Sequence, residues 1–268
     1  MSTETLKRTP LFAAHQELGA KFTGFAGWDM PVFYRSVIDE HKAVRNGVGL
    51  FDVSHMGEFF VRGQDTCRFL NHLLTQEFSA PAPGTGVYTH MLNPQGGVID
   101  DLIVYKISAT ECLIIVNASR IEADWAWMKS QPTGFAFELE DRSPQYGIIA
   151  VQGPRAVEVS ASIAAELPTV GRFRFTRLDI AGQEVFAART GYTGEDGFEF
   201  IAPNETLPQL WKKLYAAAGK FTPFSACGLG ARDSLRLEAA YPLWGHELDE
   251  TITPIETNCS WVVKLQNP

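Results

Sequence analysis

The stretch GGVIDDLIVY, Gly96 to Tyr105, sets two adjacent carboxylates at the head of an apolar run. Asn93-Pro94-Gln95-Gly96-Gly97 before it is a turn cluster, so VIDDLIVYKI is predicted to begin a strand directly afterwards. Side chains alternate along a strand. Asp100 therefore shares a face with Val98, Leu102 and Val104, and Asp101 with Ile99, Ile103 and Tyr105. Without a bulge the two acids cannot share a proton. One can look into a cavity while the other caps the turn or meets solvent; two turn-proximal acids with no chemistry is the plain alternative. CLIIVNAS follows the tight turn SATE and is expected to pair antiparallel with the first strand, with Ile115 and Asn117 on one of its faces. If that is also the face of Asp101, the hairpin presents Asp, Tyr and Asn on an apolar wall. Such a wall suits a planar heterocycle, through ring contact and a few fixed polar groups at its edge. Asn117 at a strand end is equally an ordinary turn residue.

Two further stretches carry candidate chemistry. RTGYTGEDGFEF, Arg189 to Phe200, is glycine-rich, but it leads into a strand and lacks the Lys-Ser/Thr of a phosphate-binding loop. Glu199 lies on the strand face opposite Phe198 and Phe200. It is either a solvent-facing acid or a carboxylate able to accept two hydrogen bonds from an amino-pyrimidine edge. GLGARDSLRLEAA opens a helix with Arg232 in its first turn, where the helix dipole disfavours a cation. That position either has a function or is offset by pairing with Asp233 or a nearby glutamate.

The elements that must hold these groups are signalled in the sequence. Thr9 and Pro10 read as the N-cap and first position of a helix closed by Gly19. Ser36 caps a second helix with Asp39 and Glu40 in its first turn, and Asn46-Gly47 stops it. GEFFVRGQDTCRFLNHLL from Gly57 and GIIAVQGPRAVEVSASIA from Gly147 share the pattern Gly-x-x-x-Val-x-Gly and then a helical stretch. The predicted fold class is therefore α+β: duplicated, interleaved βαββα-type units with mainly antiparallel sheet, the second repeat starting near 147. SWVVKLQNP ends the chain on a strand-like run that reads as the entry to further structure.

A chain of 268 residues with 45% hydrophobic and 20% charged residues can bury a substantial core. Its formal charge of −8 argues against nucleic acid or an anionic membrane as the main partner. The four cysteines have no C-x-x-C spacing and the six histidines no H-x-x-x-H pair, so neither a disulfide framework nor a metal site is expected. MSTETLKRTP has no apolar signal core. A cytoplasmic protein is expected, and a processed mitochondrial form would have the same composition.

Taken together, TPLFAAHQELGAKFTGFAGWDMPVFY, VGLFDVSHMGEF, GGVIDDLIVY, RTGYTGEDGFE, GLGARDSLRLEA and the GHELDE segment resemble the aminomethyltransferase (T-protein) of the glycine cleavage system, over nearly the whole chain. The resemblance implies a duplicated α+β folate-binding region spanning 1–268, without the family's usual C-terminal barrel domain. It implies that the methylene of an aminomethyl group on the lipoyl arm of H-protein passes to tetrahydrofolate, with release of ammonia. It assigns the catalytic role to Asp101, and folate contacts to Tyr88, Ile103, Tyr105, Ile115, Asn117, Tyr192, Glu199 and Arg232. Tetrahydrofolate is the co-substrate, lipoylated H-protein the partner, and no metal is implied. Trp244 departs from the tyrosine common in the family. Folate-dependent demethylases share the fold, but SHMGE and GYTGEDGFE agree with the glycine cleavage branch. A non-catalytic relative that assists iron–sulfur maintenance carries a Lys-Gly-Cys motif that this chain lacks. A folate-binding module inactive without the barrel domain is the remaining alternative.

Overall fold

The computed structural model describes residues 5–131 and 134–264. The chain crosses from a first unit to a second after His55, returns at Gln145, and crosses back after Tyr241. In chain order the first unit opens with α1 (Phe12–Glu17), β1 (Lys21–Phe25), β2 (Trp28–Phe33), α2 (Val37–Asn46) and β3 (Val48–Asp52). The second unit follows with β4 (Gly57–Arg62), α3 (Thr66–Leu73), β5 (Thr85–Leu92), β6 (Val98–Lys106), β7 (Glu111–Val116), α4 (Ile121–Ser130) and β8 (Glu138–Asp141). The first unit resumes with β9 (Tyr146–Gln152), α5 (Ala156–Ser160), β10 (Phe175–Ile180), β11 (Gln183–Ala188), β12 (Gly197–Pro203), α6 (Leu207–Ala218), β13 (Phe224–Cys227) and α7 (Leu229–Glu238).

The architecture is mixed α+β with mainly antiparallel sheets. The larger sheet of the first unit runs β10-β11-β12-β9-β3-β13, and only β13–β3 within it is parallel. The sheet of the second unit runs β5-β6-β7-β4-β8, antiparallel throughout. The order β5-β6-β7-β4 matches β10-β11-β12-β9 strand for strand, and of these four strands in chain order a helix follows the first (β4 or β9) and another the last (β7 or β12).

Each sheet covers one face with helices. In the first unit Phe198 and Phe200 of β12 pack with Leu207, Leu210, Trp211 and Leu214 of α6. In the second unit Phe59, Val61, Leu102, Val104, Ile114 and Val116 pack with Phe69, Leu70 and Leu73 of α3 and Met128 of α4. Burying such side chains contributes about 1.5–3 kcal/mol apiece, which fixes strand register because a slip of one residue would expose the whole set.

Two predicted caps turn out differently from one another. Ser36 caps α2 as expected, accepting from the Asp39 amide at 3.1 Å. Thr9 does not cap α1, which starts at Phe12 with Leu11 at the N-cap position. Its hydroxyl is drawn instead to the buried Asp52 carboxylate at 2.6 Å.

The segment after Tyr241 completes the second unit around the head of β6. The Val98 amide donates to the carbonyls of Asp249 and Ile252, and Asn93 Nδ2 to that of Glu250. Trp244 donates its indole N–H to the Val98 carbonyl at 3.1 Å while Arg120 stacks on its ring at 4.0 Å. Gly97 is needed there for space: a Cβ would lie 1.8 Å from the Glu250 carbonyl oxygen. Alanine at 97 is expected to cost about 1–3 kcal/mol or more by overpacking, read as a lower melting temperature. The strand-like run at the end is a 3₁₀ turn over Ser260–Val262, and residues 265–268 lie outside the described residues.

Candidate active site

The hairpin of β6 and β7 forms as its alternation predicts from Asp100 onward; Ile99, expected on the face of Asp101, joins the helix-covered core at the register shift instead. Ile103 and Ile115 are register partners, and Tyr88 of β5 stands opposite Ile103 on the other side. Leu102, Val104, Ile114 and Val116 take the helix-covered face. Asp101, Ile103, Tyr105, Ile115 and Tyr88 therefore share the opposite face. Tyr105 and Ile115 are buried; Tyr88 and Ile103 are half-buried. Tyr88 stacks with the exposed Trp261, their ring centroids 5.6 Å apart.

Asp101 is 9% exposed. Its Oδ2 accepts from the Tyr88 hydroxyl at 3.0 Å and its Oδ1 from Asn117 Nδ2 at 2.9 Å. Burial, reinforced by the neighbouring Asp100 charge, pushes its carboxyl up to about 7, against the lowering pull of those two bonds. A carboxylate poised near neutrality suits general-base work.

Asp100 is not the turn-proximal, solvent-meeting acid that the sequence allows. It is fully buried on the helix face, where its oxygens accept from the Asn117 backbone amide at 3.0 Å and Nδ2 at 2.9 Å. The register shift beside Met91 skips Ile99 and leaves the two aspartates on opposite faces, so Asn117 is the group that touches both. A second buried carboxyl acts on Asp100 from α4. Asp124 is buried and neither of its oxygens meets an N–H or hydroxyl donor. Burial first, then the Asp100 charge, pushes it up to about 11. Such a group keeps its proton in the fold where the unfolded chain, at about 3.9, has lost it. Stability therefore falls as pH rises from the unfolded value towards the folded one. Asp124→Asn keeps a donor and abolishes that loss: thermal melts are expected to show it gaining on wild type from pH 5 to pH 9.

The other named residues lie in the first unit. Glu199 is half-buried on the face of β12 away from Phe198 and Phe200, and its Oε2 accepts from the Thr190 hydroxyl at 2.6 Å. Asp233, offered by the sequence as a partner for Arg232, binds Arg236 Nε at 2.9 Å. The Arg232 guanidinium lies over the Tyr192 ring, 4.5 Å from its centroid, and beside His55, whose buried imidazole is lowered to about 4 by burial and then by this charge.

Further buried polar side chains were not singled out in the sequence, among them His90, Glu58 and His55. His90 of β5 has an unpartnered Nδ1 and is lowered to about 4 by burial. Glu58 of β4 has neither oxygen partnered and is raised well above the usual carboxylate range by burial and then by Asp141. His55 stands in SHMGE, but nothing in that text signals its neighbours. Among the described residues no group of three His, Cys, Asp or Glu is placed to hold a metal ion.

Residues 11–267 match the family model described as the GCVT N-terminal domain. The chain belongs to the GCVT family. Its relatives include the aminomethyltransferase of Thermotoga maritima, 46% identical over 97% of this chain and 71% of that protein. That of Chlorobaculum parvum is 47% identical over 98% and 73%. The crystal structure of glycine cleavage system aminomethyltransferase T from Bartonella henselae superposes with a TM-score of 0.91 at 33% identity, over 98% of this chain and 71% of that one. This GCVT chain is thus an aminomethyltransferase by family, with the T-protein fold. Among its described residues no helix is long and apolar enough to cross a membrane.

Proposed function

We propose that this chain transfers the methylene of an aminomethyl group, carried on the lipoyl arm of H-protein, to tetrahydrofolate. The atoms balance as follows. The carbon loses its bonds to sulfur and to the amino nitrogen and gains bonds to folate N5 and N10. The two protons from N5–H and N10–H end on the dihydrolipoyl thiol and on ammonia.

The observation that carries this reading is the Asp101 carboxyl, held by Tyr88 and Asn117 on an apolar strand face and poised near neutrality. As carboxylate it takes a proton from the reacting folate nitrogen and stabilises the iminium charge that develops on the transferred carbon. Ile103, Ile115 and Tyr105 supply apolar contact to a ring, and Asn117 fixes the carboxylate. Glu199, its Oε2 set by Thr190, accepts hydrogen bonds from the pterin edge. Arg232, held over Tyr192, offers its cation to an anionic part of folate. A cytoplasmic site of action fits the composition.

The test is ammonia release from aminomethyl-loaded H-protein and tetrahydrofolate, with folate binding measured in parallel. Release that depends on both substrates supports the transferase. Folate binding without release would make the chain a binding module that needs a further segment, and no binding would sink the folate reading.

A further inference from the structure

We propose that His90 is a positioning residue for Asp101, acting through the Tyr88 hydroxyl. His90 and Asp101 are direct cross-strand partners on β5 and β6. Tyr88 lies two residues before His90 and so shares its face. The Tyr88 oxygen is 3.0 Å from Asp101 Oδ2 and 3.1 Å from His90 Nε2. That hydroxyl has one proton. An ionised Asp101 can only accept, so the proton points at Oδ2, and the tyrosine oxygen accepts from Nε2–H.

This direction of donation fixes the tautomer of His90: the proton sits on Nε2 and the lone pair on Nδ1. The Nδ1 atom is buried and meets no partner, so no opposing bond pulls the ring into the other tautomer. A buried, unpartnered ring nitrogen is also a cost that an aliphatic side chain would not carry. Burial keeps the imidazole neutral, which adds an N–H donor without adding a second charge. The donated bond polarises the tyrosine hydroxyl, strengthens its bond to the carboxylate and holds the ring aimed at Asp101.

The other groups acting on Asp101 are Asp100 on the same strand, Asp124 on α4, Asn117 beyond β7 and Cys259 in the final segment. Asp100 raises it, Asn117 lowers it, and the buried Asp124 and Cys259 stand in its field. Removing His90 weakens one lowering influence, so the Asp101 titration should move upward.

The inference rests on the proposed function only for its kinetic readout. Two measurements stand apart from activity. In ¹⁵N-histidine spectra of the wild type above pH 8, where Asp101 is ionised, His90 should be protonated at Nε2 and bare at Nδ1; the opposite tautomer would overturn the proposal. In ¹³C-carboxyl titrations, His90→Ala should raise the Asp101 midpoint by about half a unit to one unit. His90→Gln, which keeps an N–H donor, should restore most of the shift. Tyr88→Phe should raise the midpoint further, and adding His90→Ala to it should change nothing more. An unmoved midpoint in folded His90→Ala, or a further shift in the double variant, rejects the mechanism. Should His90→Ala not fold, the glutamine variant and the wild-type tautomer decide. In kinetics the acidic limb of kcat should follow the carboxyl midpoint while KM for tetrahydrofolate stays put. If Asp101→Asn left ammonia release intact, the catalytic role of Asp101 would fail, yet the tautomer and the titration would still test His90.

Discussion

Replacing Asp101 with asparagine is expected to cut kcat/KM for ammonia release by about 10²–10⁴-fold, while tetrahydrofolate still binds. Asparagine keeps the volume and one acceptor oxygen: that oxygen still accepts from Asn117 Nδ2, while the new amide N–H faces the Tyr88 oxygen, which can accept instead of donate. What it loses is the capacity to take a proton and the charge that faces a developing cation. The pH profile gives a second readout. Only the ionised carboxyl is a base, so wild-type activity should rise with pH through about 7, and that limb should vanish in the asparagine variant. Steady-state ammonia release across pH 5.5–8.5, with calorimetry for folate, checks both. Activity that survives the substitution removes Asp101 from the chemistry.

Glu199→Ala should instead act on binding. Hydrogen bonds to a charged group contribute roughly 1.5–3 kcal/mol, so losing the carboxylate should weaken tetrahydrofolate by roughly 10- to 150-fold. Glu199 is half-buried on the face of β12 away from the core, so the fold should survive. Thr190→Val removes only the bond that orients the carboxylate and should weaken binding less. Calorimetry on both variants tests the order, and an unchanged affinity in Glu199→Ala would withdraw the carboxylate from the ligand.

Residues whose role follows from the local pattern were readable, and those whose role follows from distant partners were not. Alternation in VIDDLIVYKI separated the two aspartates correctly, because period two is a property of the strand itself. The same rule put Asp101, Ile103 and Tyr105 on one face, whereas Ile115 joined them only once the register of β6 and β7 was known. Ser36 was legible because a cap is settled within three residues. Asp124, by contrast, reads as a first-turn helix acid, a placement usually solvated and favoured by the dipole. Its burial against Asp100 depends on how α4 lies on β6, which no local pattern encodes. Thr9 was misread for the same reason: its hydroxyl is claimed by Asp52, 43 residues away. His90 looked like any polar residue on a strand, and its meaning comes from Tyr88 and Asp101 meeting it across a register.

The closing of the turn before β6 by the segment after Tyr241 also sets an order of events on the ribosome. Val98 emerges long before Asp249, Glu250 and Ile252, whose carbonyls receive its amide and the Asn93 side chain. At ordinary elongation rates the wait is roughly 10–30 s. Throughout that interval the strand bearing Asp101 has paired neighbours but an untied head, while the whole of β9 to α7 is being made. A nascent chain arrested between Tyr241 and Asp249 should therefore give a hairpin protected along Ile103–Lys106 and a Val98 amide open to exchange.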